Sequence, residues 1–175
     1  MTGSAAERQA ARPSVASRRV DPGGEAESVN GRSAATLADV DSEQARTFIA
    51  ENHRAVLATT RSDGKVQLSP VTAGVDGEGY VVVSSRETAM KTRNVRRRPY
   101  AAICVFTEQF FGDWVQVEGD IEVVSLPDAM DGLVEYYRQI AGEHPDWDDY
   151  RAAMAEDRRV LLRMTVRRAG PNRSG

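Results

Sequence analysis

The residues with most chemical potential lie in "VSSRETAMKTRN", positions 83–94. Ser84 and Ser85 end an apolar run, and Lys91 and Arg93 follow where a helix is expected. The first N–H groups of a helix lack intrahelical partners, and its dipole is positive at that end. Hydroxyls, free N–H groups and a lysine make a receptor for phosphate. A second reading stays open: Ser85 caps the helix and the cations are solvated. Six of the 23 basic residues fall between Arg86 and Arg98. No aromatic side chain is interleaved with them, so nucleic acid is the weaker reading.

A second set lies in "VQLSPV", positions 66–71. On a strand, Gln67, Ser69 and Val71 share one face, and Val66, Leu68 and Pro70 share the other. Pro70 cannot donate a ladder hydrogen bond, so the strand has an edge or a bulge here. Backbone groups beside Gln67 and Ser69 can read the edge of a flat heterocycle; the alternative is a solvated edge strand. Trp114 falls with Gln116 and Glu118, not with Val115 and Val117. A tryptophan on a polar strand face packs against another surface, either a second subunit or a planar ligand.

Other reactive residue types are sparse. His53 reads as a cation at a helix end. His144, near Asp146, Asp148 and Asp149, reads as a loop and helix cap rather than a metal site. Cys104 reads as a buried, inert thiol. No spacing supports a nucleophile triad, no catalytic acid or base is assigned, and no metal is expected. Groups that hold a ligand, with few that move protons, suit an enzyme whose cofactor does the chemistry.

These residues need elements to position them. Asp41 with Gln44 reads as a capping pair for a helix ending near His53. Strands are expected over 55–60, 66–71, 80–85, 101–106, 114–124 and 159–166. Asp63-Gly64 signals a two-residue hairpin, and "DGEG" a second turn. Gly119 reads as a bulge. Pro127 opens a helix closed by Gly142, and another helix covers 145–156. Six strands, beginning with a three-strand meander, predict a mainly β fold: a small antiparallel barrel with helices outside. A Rossmann fold is unsupported, because strands and helices do not alternate.

Composition bounds the rest. The chain has 175 residues, a formal net charge of -3 and one cysteine. General attraction to nucleic acid or membrane is not expected at that charge. A single cysteine excludes disulfide staples within the chain and fits a reducing, cytoplasmic setting. No apolar run reaches the roughly 20 residues of a membrane helix. Residues 1–34 carry almost no large apolar side chain and are expected to be a disordered tail, followed by one domain over 35–170 and a disordered end at 171–175.

Three segments carry a family resemblance: "AVLATTRSDGKVQLSPV", "KTRNVRRRPYAAICV" and "YYRQIAGEHPDWDDYRAAMAEDRRVLL". In order and spacing they resemble the deazaflavin-dependent branch of the split-barrel flavoproteins, the F420-dependent relatives of the pyridoxamine phosphate oxidases. The resemblance runs from about residue 40 to 168. It implies an FMN-binding-type split β-barrel, homodimeric, with two cofactor sites at the subunit interface. It implies coenzyme F420, with FMN as the alternative, and hydride transfer to or from a small organic substrate; a non-catalytic F420 carrier is the other alternative. Ser84, Ser85, Lys91 and Thr92 occupy the place that holds the cofactor phosphate, with Arg86 beside them. Gln67, Ser69, Pro70 and Val71 match the strand beside the deazaflavin ring. Trp114 matches an aromatic near the ring, given by the partner subunit.

Overall fold

The computed structural model describes residues 41–109 and 111–172. The expected tail at 1–34 lies outside them, as do residues 173–175. The elements are α1 (Ser42–Glu51), β1 (Arg54–Thr60), β2 (Val66–Thr72), β3 (Gly74–Val75), β4 (Val81–Arg86), α2 (Met90–Arg97), β5 (Tyr100–Phe106), β6 (Trp114–Ser125), α3 (Met130–Ala141), α4 (Trp147–Glu156) and β7 (Arg159–Asn172).

The seven strands form one curled antiparallel sheet in the order β2-β1-β5-β6-β7-β4-β3. This is the expected mainly β architecture, an open split barrel with peripheral helices. The expected early meander is not formed. β1 and β2 make a hairpin at one edge, while β4 pairs with β7 and with β3 at the other. The separation has a local cause: β2 carries exposed Val66, Leu68 and Pro70, whereas Val81, Val82 and Val83 of β4 are all buried. A strand buried on both faces needs cover on both, and β4 receives it from the barrel interior and from α3.

The barrel interior is filled by Leu57, Ile103, Val117, Ile121, Leu162 and Met164, each at most 2% exposed, with Ala45 and Ile49 of α1 and Val95 of α2. Burying each large aliphatic side chain contributes about 1.5–3 kcal/mol. A second cluster on the other face of β4 and β7 joins Val82 and Leu161 to Ala129 and Leu133. Tyr150 of α4 ties itself to this layer by donating to Leu133 O at 2.9 Å.

Turn and cap chemistry agrees with the sequence in kind and differs in detail. Asp41 caps α1 by accepting from Glu43 N at 3.1 Å. The β1–β2 turn closes through Arg61 N to Lys65 O at 2.8 Å, with Gly64 at φ 84, so the loop holds three residues rather than two. The Gly119 bulge is present as a register shift in the β6–β7 ladder. Pro127 follows a cis peptide bond ahead of α3 instead of opening the helix, while Gly142 ends α3 as expected. β7 runs on to Asn172, well beyond the expected strand end at 166.

Candidate functional site

Alternation on β2 places the two predicted faces as expected. Gln67 and Ser69 turn inward, and Ser69 is buried. Val66 and Leu68 point outward, 64% and 66% exposed. β2 is an edge strand, so among the described residues the outer backbone groups around Pro70 have no ladder partner on that side.

The second set departs from its expected local structure. β4 continues through Arg86, and α2 begins only at Met90 with Ala89 as an N-cap that gives no side-chain bond. Ser85 is therefore not the helix cap. It lies inside, 2% exposed, with its Oγ 2.9 Å from Thr92 Oγ1. Thr92 Oγ1 is also 2.8 Å from Arg86 O. A carbonyl only accepts, so the Thr92 proton goes to Arg86 O and Ser85 donates to Thr92. The pair pins the first turn of α2 to the end of β4. Among the described residues no side chain caps that first turn, so its N–H groups stay free.

Lys91 stands in this uncapped turn. Among the described residues no carboxylate pairs with it. Burial pulls its pKa below the ordinary lysine value, and the positive charge of Arg159 pulls it further the same way. A partly desolvated lysine beside a second cation is an incomplete electrostatic arrangement that an anion completes. Arg159 is held in turn by Asp157, which accepts at 2.9 and 3.1 Å. Arg86, opposite Arg159 in the β4–β7 register, reaches the same carboxylate at 3.2 Å. These bonds hold the Asp157 carboxyl below its usual pKa. Arg96 bonds Glu87 and Ser125.

Asn94 joins the two sets. It is fully buried, and its Nδ2 donates to Thr59 Oγ1 at 3.1 Å and to Gln67 Oε1 at 3.0 Å. Gln67 Nε2 faces Ser69 Oγ at 3.4 Å. The helix that carries Lys91 is thus cross-linked to the inward face of β2. Thr59, Asn94 and Arg159 were not singled out from the sequence. For Asn94 a signal existed, since asparagine is a poor interior helix former and sits mid-helix here.

Trp114 is set apart from this network, on the outer sheet face with Gln116 and Glu118 as expected. Cross-strand register places Trp114 beside Phe106, Gln116 beside Cys104, Cys104 beside Val56, and Val56 beside Pro70. Leu68, Ala58 and Ala102 form the adjacent row. An apolar sheet face thus runs from β2 to β6. Cys104 belongs to this outer face and is only half-buried, not a core thiol; burial raises its pKa. A shallow depression of about 430 Å³ opens there between Cys104, Phe106, Trp114 and Gln116.

The remaining candidates have structural partners. His53 lies beyond the end of α1 and bonds Ala73 O through Nδ1 at 3.0 Å. His144 accepts from Asp146 N at 3.1 Å and packs edge-on against Tyr137, 5.3 Å between ring centres. Asp146 caps α4 by accepting from Asp148 N and Asp149 N at 3.0 Å. Among the described residues no group of three His, Cys, Asp or Glu side chains is placed to hold a metal ion, and no helix is long and apolar enough to cross a membrane.

Known structures share this fold. A conserved hypothetical protein from Mycobacterium tuberculosis superposes with a TM-score of 0.62 at 23% identity, over 77% of this chain and 85% of its own. A structure described as an F420 reductase gives 0.56 at 20% identity, over 71% and 94%. A heme binding protein from Mycobacterium smegmatis gives 0.57 at 21% identity, over 77% and 57%. At these identities the likeness is one of fold. The family model described as pyridoxamine 5'-phosphate oxidase matches residues 41–171. The match spans most of the chain and agrees with its open antiparallel barrel: the chain belongs to the pyridoxamine 5'-phosphate oxidase family.

Proposed function

We propose that this protein is a homodimeric F420-dependent oxidoreductase that transfers a hydride between the deazaflavin and a small organic substrate. The observation that carries this reading is Lys91: a partly desolvated cation with no carboxylate partner among the described residues, in an uncapped helix turn, cross-linked through Asn94 to the inward row of an edge strand. Phosphate at one end and a flat ring at the other fit that layout.

Lys91 and the free N–H groups of α2 would hold the phosphate. Ser85 and Thr92 keep that turn in place, and Ser84 and Arg86 stand on the strand beside it. Arg93 and Arg98, exposed and without a side-chain bond among the described residues, would be free to meet the carboxylates of the cofactor's glutamate tail. Gln67, Ser69 and Val71 would line the ring from the inward face of β2, with Pro70 marking the open backbone edge between them. When bound, the deazaflavin supplies the hydride chemistry, and the chain's own residues bind, orient and exclude water. The outer apolar face is where a second copy docks. Trp114 of each copy then closes the ring site of the other. The half-buried, lone Cys104 suits the reducing cytoplasm.

FMN is the second reading, favoured by the family match. Reconstitution decides. Protein made in a host without deazaflavin is titrated with F420 and with FMN, and reduced F420 is then offered with enones, quinones and tetrapyrroles. Micromolar or tighter F420 binding and turnover of an acceptor support the proposal. A yellow protein that releases FMN and ignores F420 overturns it. Tight F420 binding without turnover across the panel turns the reading to a carrier.

A further inference from the structure

The polar side chains beside Gln67 run in one direction. Arg97 Nη1 donates to Asn94 Oδ1 at 3.4 Å, and Asn94 Nδ2 donates to Gln67 Oε1 at 3.0 Å and to Thr59 Oγ1 at 3.1 Å. A guanidinium has N–H donors only and stays charged. Even at this long distance it favours one orientation of the Asn94 amide, with Oδ1 toward Arg97. The flipped amide would set Nδ2 against the guanidinium, donor against donor. Asn94 has no exposed surface, so water does not relieve that mismatch.

The same logic passes to Gln67. Its Oε1 is taken by Asn94, which leaves Nε2 at the open end. One Nε2 hydrogen faces Ser69 Oγ at 3.4 Å, a long contact. The other has no partner among the described residues. Gln67 is half-buried, so this hydrogen is presented at the site rather than sealed in the core.

We propose that Arg97, acting through Asn94, locks Gln67 as a hydrogen-bond donor. The site then accepts flat ligands through an acceptor on the edge nearest β2, either a carbonyl oxygen or an unprotonated ring nitrogen. A ligand with an N–H at that edge is rejected, because two donors meet. The ligand half of this inference rests on the ring-site reading of β2; the relay itself does not. Arg97 and Asn94 are positioning residues.

The test uses the full chain with two probes and one spectroscopic readout. Riboflavin, which has the ring and no phosphate, reports the ring site; inorganic pyrophosphate reports the anion site. Arg97→Met removes the directing cation. Arg97→Lys keeps a donor-only group. Asn94→Asp offers only acceptors, so Gln67 must turn Nε2 toward it and present Oε1 instead. Riboflavin binding should weaken about two- to tenfold in Arg97→Met and Asn94→Asp, the effect of one lost hydrogen bond. It should recover in Arg97→Lys, with Arg97→Met leaving pyrophosphate unchanged. In the ligand-free protein, NMR should show slow exchange of the Asn94 side-chain amide hydrogens in the wild type and faster exchange in Arg97→Met.

Identical Asn94 and Gln67 amide signals in the wild type and Arg97→Met overturn the relay, whether or not any ring binds. Equal weakening of both probes in Arg97→Met overturns the positioning role, since it reports a general loss of structure or charge. A wild type that binds pyrophosphate but no ring, with the amide signals responding as expected, refutes the ring-site reading and the ligand half of the inference while upholding the relay.

Discussion

Thr92 Oγ1 lies 2.9 Å from Ser85 Oγ, and neither side chain is more than 2% exposed. With the bond from Thr92 Oγ1 to Arg86 O, this contact joins the helix that carries Lys91 to the strand that precedes it. Thr92→Val keeps the shape and removes the hydroxyl, leaving Ser85 Oγ and Arg86 O without their partner. The expected cost is about 1–3 kcal/mol of folding stability, the range for buried groups left unpaired. Urea unfolding measures it, and an unchanged midpoint would show that the hydroxyl pair does not hold α2.

Lys91→Ala should weaken F420 binding by about 1.5–3 kcal/mol, the range for a hydrogen bond to a charged group. Folding stability should not fall, because no ion pair among the described residues is lost and a cation disfavoured beside Arg159 is removed. Fluorescence titration beside a thermal melt separates the two effects. Equal affinity in the variant would remove Lys91 from the phosphate site.

The depressed Lys91 pKa gives this binding a pH signature. In the free protein the charged lysine is disfavoured, so it costs stability while protonated, and that cost fades as pH rises through its folded value toward the ordinary one. Anion binding needs the charged form. Affinity should therefore fall at alkaline pH, beginning below the pH where an exposed lysine titrates. Lys91→Arg stays charged and should abolish this loss. A flat alkaline profile in the wild type would contradict it.

Leu68 and Val66 project from the outer face of β2. If a second copy covers that face, Leu68→Glu places a charge against apolar surface and should raise the dimer dissociation constant by at least about tenfold. Sedimentation at several concentrations reads this. Unchanged self-association would move the interface elsewhere.

Gly119 marks the bulge between β6 and β7. A Cβ there would stand 1.9 Å from Thr165 O, a backbone atom that does not swing away. Gly119→Ala should cost about 3 kcal/mol or more, at the upper end for overpacking. A melting temperature within a few degrees of wild type would show that the bulge can open.

Local features of this protein were written in the sequence. Strand alternation placed Gln67 and Ser69 on one face and Val66 and Leu68 on the other, because the side-chain period of a strand depends on no partner. The Asp41 and Asp146 caps, the Gly64 turn, the Gly119 bulge and the Gly142 helix end were readable for the same reason: each needs only its own neighbours. Trp114 was likewise assigned to the correct face of its strand, though not to the surface it covers. Long-range pairing alone decided the rest. β4 leaves the expected meander and joins β7, since its two buried faces need cover that β2 cannot give. That choice sets Arg86 opposite Arg159 and brings Arg159 into range of Lys91, 68 positions earlier in the chain. Packing of α2 across the barrel brings Asn94 to Gln67, 27 positions away, and turns a solitary helix asparagine into the link between the two halves of the site. No local pattern encodes such a meeting, because it is the closure of the sheet and the burial of α2 that bring these residues together.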